Sequence, residues 1–390
     1  MNPLRIETVE HGVVIPAIPA DRTPAETDLR VSLGRSITLY AWPGLTRTRD
    51  GDLLVGASEH VQHVDPFGRD VIVRSTDQGR SWSSPEVFFD SVTDDRDIAF
   101  NTLPDGTVVA TWFSSLAWAE RRRKIMRQEW EPLRAQICPD TLRALARGWL
   151  RRSTNSGQTW EDLVYPTLVG THAGPSPMSN GDLIYCGPYS VEDGSEMVAT
   201  LSSDGGRTWR IAGKIPSPRI HDPYTNKSFS LFNENHALEL APGKILVALR
   251  GSADCKTVHV TRSNDGGGTW TEPEDLGVFG YPPYLLRLRA GPILCIFSQR
   301  STPLRISAIV SYDDGATWDM RNVMTIFECG LEGDIEMGYP SAVELASGEI
   351  FCVFYCVPTQ TVPGYEVMDP KEWGILSARV RLRMMSKEKI

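Results

Sequence analysis

The chain has 390 residues, 41% of them hydrophobic and 23% charged, which is typical of a globular protein that buries a substantial core. Its formal net charge of −9 disfavours nucleic-acid binding, because phosphate recognition needs a basic surface, and it also disfavours adsorption on anionic membranes. No apolar run approaches the roughly 18 residues of a membrane span.

The N-terminal segment and the cysteines bear on the cellular compartment. Residues 1–20 lack the basic stretch and long apolar run that mark a secretory signal. The seven cysteines are scattered and show no zinc-site spacing, and several lie inside apolar runs, where a reduced thiol packs as a small hydrophobic group. We therefore expect a cytoplasmic protein that needs no metal or other cofactor.

Six hairpin turns recur along the chain, each a glycine followed by an apolar run rich in β-branched residues. The turn glycines are Gly51, Gly106, Gly181, Gly243, Gly291 and Gly348. Glycine supplies the positive φ of a hairpin turn, and the run after it is typical of an inner strand. Each repeat unit predicts four short antiparallel strands, so the chain predicts a six-bladed β-propeller. Residues 1–30 would supply the strand that closes the ring on blade six and so removes exposed sheet edges.

The second unit is longer than the others because residues 116–149 are inserted into it. The segment is rich in Arg, Ala, Leu and Glu and is interrupted at residues 138–140, which predicts a helical hairpin between strands of blade two. Its basic cluster, residues 121–124, would attract an anionic substrate or a partner subunit, or would form a solvated helix face. We expect residues 1–390 to form a single domain.

A second motif, Ser-x-Asp/Asn-x-Gly-x-x-Trp, alternates with the hairpin turns. Its copies occupy residues 75–82, 153–160, 202–209, 263–270 and 311–318. An Asp or Asn side chain can bond backbone N–H groups, Gly tolerates left-handed geometry, and Trp buries a large surface. Since Asn155 replaces the acid in one copy, acid–base chemistry is excluded and we expect the motif to fasten a turn.

These motifs resemble the Asp boxes of the sialidase (neuraminidase) superfamily, and the resemblance extends over most of the chain. It implies a six-bladed propeller and a site whose residues can be placed by their context. Tyr339 in "GYPSAVELASGEIFCVFY" takes the place of the nucleophile, and "NENHALELAPGKILVALRG" supplies its partner Glu234 together with Arg250. The catalytic aspartate falls on Asp65 in "VDPFGRDVIVRS", with Asp70 as the alternative.

The chemistry of an acidic sugar explains this set of residues. A carboxylate on the anomeric carbon repels an anionic nucleophile, whereas a neutral tyrosine avoids that repulsion. Tyrosine is weak at its ordinary pKa of about 10, so a neighbouring glutamate must accept its proton. A separate acid, assigned to Asp65, would protonate the leaving oxygen.

The sequence departs from the family pattern among the arginines that would hold the substrate carboxylate. Ala41, in "YAWPGL", stands where the first arginine belongs, and the family's arginine expected just after Glu59 is also missing. Arg250 matches the second arginine. Arg305 is the nearest match to the third, and Arg300 competes with it.

Histidines are concentrated where the inner strands of the blades should begin. His60, His63, His172, His221 and His236 all occupy such positions, and inner strands converge on the axis at one face. Some of these rings would then meet and act as acids, bases or hydrogen-bond donors to sugar hydroxyls, while a metal site is disfavoured. We predict that His60, His63, His172 and His236 bind substrate, and that Arg287 in "YPPYLLRL" forms part of a sugar-stacking wall.

Three functions remain open at this stage. The first is an exo-acting, retaining glycoside hydrolase that removes a terminal acidic sugar, sialic acid by default, from an oligosaccharide or glycoconjugate. The second is a histidine-dependent hydrolase or lyase acting on uronic-acid- or rhamnose-containing oligosaccharides, which Ala41 favours. The third is a non-catalytic carbohydrate-binding propeller. The sequence leaves the oligomeric state open.

Overall fold

A computed structural model of the chain describes residues 3–19, 37–60, 63–119, 135–223, 225–252, 254–280, 282–330, 335–358 and 373–384. Within these ranges the backbone forms six separate sheets, each built around four antiparallel strands. Consecutive sheets follow one another along the chain and pack face to face, so the predicted six-bladed β-propeller is confirmed. None of the helices in these ranges is long and apolar enough to cross a membrane.

The first three blades contain the extra elements of the fold. Blade one consists of β2 (Ile18–Pro19), β3 (Ile37–Arg47), β4 (Leu53–His60), β5 (Arg69–Ser75) and β6 (Glu86–Phe89). Blade two consists of β7 (Asp94–Thr102), β8 (Val108–Ser115), β9 (Gly148–Ser153) and β10 (Tyr165–Thr167). Blade three consists of β11 (Ser176–Pro177), β12 (Leu183–Val191), β13 (Gly194–Ser202), β14 (Arg210–Lys214), β15 (Arg219–Asp222) and β16 (Lys227–Ser230).

The last three blades are regular four-stranded sheets. Blade four consists of β17 (Phe232–Ala241), β18 (Lys244–Gly251), β19 (Thr257–Ser263) and β20 (Glu274–Phe279). Blade five consists of β21 (Pro283–Arg287), β22 (Ile293–Gln299), β23 (Leu304–Ser311) and β24 (Met324–Cys329). Blade six consists of β25 (Ile335–Glu344), β26 (Ile350–Pro358), β27 (Gly374–Met384) and the N-terminal strand β1 (Leu4–Pro16).

Strand β1 closes the ring, as the sequence predicted. It pairs antiparallel with β27 from Leu4 opposite Met384 to Pro16 opposite Gly374. At Gly374 the backbone has φ +111°, and an added Cβ would lie 2.2 Å from the carbonyl oxygen of Ile15, so a side chain does not fit. The first and last strands of the chain thus share one blade and leave no open end between blades six and one.

The core is divided into apolar clusters that lie between neighbouring blades. Separate clusters join blades one and two, two and three, three and four, four and five, five and six, and six and one. In the last of these, Tyr355 and Phe351 of blade six pack with Trp42 and Val55 of blade one. Because each blade is covered on both faces, an inner strand such as β4 is buried along its whole length.

The Asp boxes fasten turns, as expected from their sequence. In the third copy, Asp204 Oδ1 accepts the backbone N–H groups of Arg207 and Thr208 at 3.0 and 2.9 Å, and Oδ2 accepts the Thr208 hydroxyl at 2.6 Å. The Ser202 hydroxyl donates to Asp204 and accepts the N–H of Gly206 at 2.8 Å. Asn155 makes the corresponding bond to the N–H of Thr159 at 3.0 Å.

Four inner strands carry the same irregularity near the axis. In β3, β7, β17 and β25 two residues face a single residue of the neighbouring strand, which is a β-bulge. Trp42, Asp97 and Tyr339 are the first bulge residues of blades one, two and six and have φ of 51°, 60° and 54°. Glu234 is the second bulge residue of blade four. These bulges turn side chains from the blade faces towards the axis.

The insertion in blade two lies partly outside the described residues, since residues 120–134 are not among them. The described parts are a 3₁₀ turn at Ala117–Ala119 and the short helix α1 (Pro139–Leu145). Trp118 is fully buried, packs with Leu142 and Val64, and donates from Nε1 to the Thr93 hydroxyl at 2.8 Å. The β15–β16 hairpin of blade three was not expected from the sequence.

Asp204 offers a test of the box as a fastener. We expect Asp204→Ala to lower the free energy of unfolding by roughly 1–2 kcal/mol, because two backbone N–H groups lose their acceptor. Asp204→Asn should lose less, because Asn155 performs the same task in the second box. Chemical denaturation of both variants measures the difference, and equal losses would contradict a role based on hydrogen bonding.

The same residue makes stability depend on pH. Partial burial opposes ionisation, but hydrogen bonds from Thr208 and Ser202 lower the pKa of Asp204 from its ordinary 3.8 to about 2. A lowered pKa in the folded state stabilises the fold above pH 4, and this contribution is lost as the pH falls from about 4 to about 2. In Asp204→Asn the free energy of unfolding should no longer fall through this contribution between pH 4 and pH 2. Chemical denaturation of both proteins across this pH range measures the difference.

Candidate active site

Tyr339, Glu234 and Arg250 meet near the axis, although blade five separates the two blades that carry them. The Tyr339 hydroxyl donates to Glu234 Oε1 at 2.6 Å. Arg250 Nη1 donates to the Tyr339 oxygen at 3.1 Å and forms an ion pair with Glu234 Oε2. Tyr339 lies on β25, Glu234 on β17 and Arg250 on β18. The structure therefore brings together three of the residues singled out in the sequence.

The charges of this cluster keep the tyrosine neutral at rest. Burial, followed by the negative charge of Glu234, raises the pKa of Tyr339 well above its ordinary value. Burial alone would raise the pKa of Glu234, but the positive charge of Arg250 and the hydrogen bond from Tyr339 hold it below its ordinary value. The cluster thus contains a phenol, a carboxylate and a guanidinium, with the carboxylate placed to accept the phenol proton.

The backbone at Tyr339 is held in an unusual conformation. A φ of 54° is strained for an aromatic residue and costs of order 1–3 kcal/mol. The preceding Gly338 has φ 140°, and a Cβ there would lie 2.6 Å from Ser298 Oγ and 3.1 Å from Arg300 Nη2. Glycine at this position therefore lets Arg300 approach the strand beside the tyrosine.

Two residues were candidates for the third arginine expected from the sequence, and Arg300, not Arg305, is the one that reaches the site. Its Nε donates to the Met337 carbonyl at 2.8 Å, and its guanidinium carbon lies 5.3 Å from the centre of the Tyr339 ring. Arg305 instead begins β23 and donates from Nε to Glu328 Oε2 on the outer strand at 2.7 Å. Arg305 therefore faces the outer strand of blade five, whereas Arg300, its competitor in the sequence, lies in the loop after β22, next to blade six.

A guanidinium that the sequence analysis missed lies near the buried Ala41. Arg96 of blade two places its guanidinium 4.0 Å from the centre of the Trp42 ring. It forms ion pairs with Asp94 at 3.4 Å and Asp97 at 3.5 Å. The signal was present in "DDRD", an arginine between acids at the start of a predicted inner strand.

Asp97 is a second missed residue, and it is buried beside this arginine. Burial raises its pKa to about 6, even though the charge of Arg96 opposes the shift and that of Glu234 adds to it. Its backbone N–H donates to the Ser58 hydroxyl at 2.8 Å. Asp97 therefore adds a titratable carboxyl to the wall formed by blades one and two.

The aspartates predicted to act as the acid have structural partners. Asp65 Oδ1 accepts the N–H of Phe67 at 2.9 Å, and its carbonyl accepts the N–H of Gly68 at 3.1 Å, so it caps its own turn. Asp70 is buried in β5 and accepts the Ser58 hydroxyl at 3.0 Å. The hydrogen bonds described for Asp65 are those of its own turn, whereas Tyr339, Glu234 and Arg250 bond to one another.

Three of the predicted histidines surround Trp42 and Tyr339. His60 and His63 pack edge-on against Trp42 at ring distances of 4.9 and 5.2 Å, and His172 packs edge-on against Tyr339 at 5.2 Å. Burial lowers the pKa of His172 to about 4, so its ring is neutral. Neither nitrogen of His172 has a hydrogen-bond partner among the described residues.

His236 and Arg287 do not reach this cluster. His236 stacks on Tyr284, accepts the N–H of Leu285 at 2.8 Å, and has a pKa lowered to about 3 by burial, so it packs as a neutral core residue. Arg287 lies at the end of β21 and donates to Asp314 of the fifth Asp box at 2.8 Å. It sits at the end of an inner strand, whereas the site is formed by strand beginnings. Among the described residues, no cluster of His, Cys, Asp or Glu could hold a metal ion.

Comparisons with known proteins agree with this fold. Residues 135–352 match the family model described as a BNR repeat-like domain. A curated sialidase of Micromonospora viridifaciens is 26% identical over 375 residues, which cover 83% of this chain and 50% of that protein. The chain therefore spans about half the length of this relative.

Two solved structures illustrate the likeness in fold. A protein of unknown function from Dyadobacter fermentans has a TM-score of 0.71 at 20% identity and covers 97% of this chain and 99% of its own. The intramolecular trans-sialidase of Ruminococcus gnavus, solved with oseltamivir carboxylate, has a TM-score of 0.58 at 13% identity and covers 88% and 94%. At these identities the likeness concerns the fold alone.

The coupling between Tyr339 and Glu234 can be measured by titration. Subtracting the ultraviolet titration of Tyr339→Phe from that of the unmodified protein isolates the Tyr339 phenol. In Glu234→Gln we expect its ionisation to move to lower pH by roughly 1–3 units, because a negative charge is lost and Arg250 is left unpaired. An unchanged midpoint would show that the two side chains are not coupled.

Proposed function

Because this chain belongs to the BNR repeat-like domain family and forms a sialidase-like β-propeller, we propose that its axial site is a retaining, exo-acting glycoside hydrolase. The substrate is a terminal acidic sugar, sialic acid by default, on an oligosaccharide or glycoconjugate. The observation that carries the proposal is the 2.6 Å hydrogen bond from the Tyr339 hydroxyl to Glu234, with Arg250 beside both.

Tyr339 suits a substrate whose anomeric carbon carries a carboxylate. Its phenol is neutral at rest and does not repel that group. As the phenol oxygen bonds to the anomeric carbon, its proton passes to Glu234 Oε1, and the glycosidic bond breaks while a separate acid protonates the leaving oxygen. Water then attacks the tyrosyl intermediate from the vacated side and gives a proton to that same group. The phenol oxygen leaves, and Glu234 returns its proton. Two displacements give net retention at the anomeric carbon.

The arginines around the tyrosine supply the complementary charge. Arg250 and Arg300 flank Tyr339, and Arg96 reaches the same wall from blade two. We assign all three to the substrate carboxylate, because a guanidinium binds a carboxylate through two parallel N–H donors. In this assignment Arg96 makes up for the missing arginine at Ala41, and Asp94 and Asp97 hold it against Trp42.

The relatives support the proposal through their names. The Micromonospora viridifaciens protein is a sialidase, and the Ruminococcus gnavus protein is an intramolecular trans-sialidase. Both names denote action on sialosides, which fits a site with a tyrosine, a glutamate and several arginines.

The direct test is release of a chromophore from an aryl sialoside. We expect turnover by the unmodified protein and a loss of at least about 1,000-fold in Tyr339→Phe, because the nucleophilic oxygen is removed. Circular dichroism and thermal unfolding control for folding, and proton magnetic resonance of the first product shows the anomer formed. Full activity in Tyr339→Phe, or an inverted product, would contradict the proposal.

The arginine assignment makes a separate prediction. Arg96→Ala and Arg300→Ala should each raise the KM for a sialoside by roughly 10–100-fold, as expected for a lost charge-assisted contact. Arg305→Ala is the matched comparison, since Arg305 pairs with Glu328 on the outer strand. A KM that rises in Arg305→Ala but not in Arg300→Ala would restore the arginine preferred from the sequence.

A lyase acting on uronic-acid-linked chains is the second candidate, and His172 favours it. The neutral ring lies 5.2 Å from the Tyr339 ring and has no hydrogen-bond partner among the described residues. In β-elimination His172 would remove the proton next to the uronate carboxylate, and Tyr339 would protonate the leaving oxygen. Ultraviolet absorbance of an unsaturated uronate product, lost in His172→Ala, would favour this candidate over the hydrolase. Binding of either glycan without turnover would indicate a non-catalytic propeller.

A further inference from the structure

A retaining hydrolase needs a group that protonates the departing oxygen, and the aspartate predicted for this task is engaged elsewhere. Asp65 caps the turn that contains it. Asp97 is buried and pairs with Arg96. The leaving part of the substrate must extend towards solvent, so its acid is expected among exposed side chains near Tyr339 and not among buried ones.

His63 and Glu336 form a pair that occupies this position. His63 Nδ1 lies 3.1 Å from Glu336 Oε2, and the two side chains are 54% and 32% exposed. His63 comes from the loop after β4 of blade one, and Glu336 lies three residues before Tyr339 on β25. The His63 and Tyr339 rings contact the same Trp42 ring, at 5.2 and 6.4 Å. The pair therefore shares the Trp42 ring with the nucleophile and is open to solvent.

Glu336 fixes the state of the histidine ring. Burial opposes its ionisation, but the hydrogen bond and charge of His63, together with Arg300 and Arg96, lower the pKa of Glu336. An ionised carboxylate can only accept, so His63 Nδ1 must donate to it. The ring nitrogen left for proton exchange is then Nε2.

We propose that His63, oriented by Glu336, is the acid and base for the leaving group in the reaction of Tyr339. The inference rests on the proposed hydrolase. As the bond from the Tyr339 oxygen to the anomeric carbon forms, His63 Nε2 gives its proton to the glycosidic oxygen and the carbon–oxygen bond breaks. In the second half, His63 takes a proton from the attacking water, and the bond to Tyr339 breaks. The ring thus ends in its starting state.

Two substrates that differ in leaving group test this role. Nitrophenol leaves without help, whereas the lactose of sialyllactose needs a proton. In His63→Ala we expect at least about a 100-fold loss of kcat/KM on sialyllactose, but less than about a 10-fold loss on nitrophenyl sialoside. Azide should restore turnover of the aryl substrate and yield a sialyl azide, because azide attacks the intermediate without a base. A merely structural role for His63 would not produce that product.

Variants at Glu336 and His221 test how His63 is positioned and control for the loss of a histidine. Glu336→Gln should show the same dependence on leaving group with a smaller loss, and the acidic side of its pH–rate profile should move, because the ring loses its anionic partner. His221→Ala serves as the matched control, since His221 lies on the β15–β16 hairpin, outside the cluster around Trp42 and Tyr339.

The outcomes separate this inference from the proposed function. Equal losses on both substrates in His63→Ala, or no loss on either, would overturn the role of His63. The role of His63 is also overturned if Asp97→Asn or Asp65→Asn loses more activity on sialyllactose than on nitrophenyl sialoside and forms the sialyl azide, while His63→Ala does neither. An unmodified protein that is inactive on both sialosides would overturn the hydrolase, and the acid role of His63 with it.

Discussion

Closure of the ring by the pairing of β1 with β27 is the constraint on which the rest of this protein depends. Six apolar clusters lie between neighbouring blades, so each blade buries apolar surface against both of its neighbours. The described site draws on blades one, two, four, five and six, and Tyr339 meets Glu234 near the axis. A ring with a different number of blades would change that distance and separate the phenol from its proton acceptor.

The repeats in the sequence were sufficient to predict the architecture because they are local. Each Asp box specifies one turn, and each turn glycine specifies one hairpin. Counting these motifs therefore gives the number of blades without knowledge of any contact between blades. Tyr339, Glu234 and Arg250 were assigned through the resemblance to sialidases, by their positions relative to an inner hairpin. The closing strand could be expected from the need to cover the last blade.

The residues that the sequence analysis misplaced or missed depend on three-dimensional neighbours. Arg300 and Arg305 are separated by five positions, and only the end of β22 decides which of them faces blade six. His236 and Arg287 lie in segments expected to line the site, but His236 accepts a hydrogen bond from Leu285 and Arg287 donates one to Asp314. A linear pattern could not show that Arg96 contacts Trp42 or that Glu336 pairs with His63, because these partners belong to another blade.

The bulges at Trp42, Asp97 and Tyr339 also limit how such a site can change during evolution. Each position has a left-handed backbone, which β-branched side chains adopt only at high cost. Substitution by Val, Ile or Thr would therefore be penalised before any chemistry is considered, whereas Asn, Asp or Gly would be accepted by the backbone. Since the bulge belongs to the strand and not to the side chain, the same scaffold can exchange aromatic, acidic and amide groups at the axis. New specificities would then arise at these positions without a change in the number or packing of the blades.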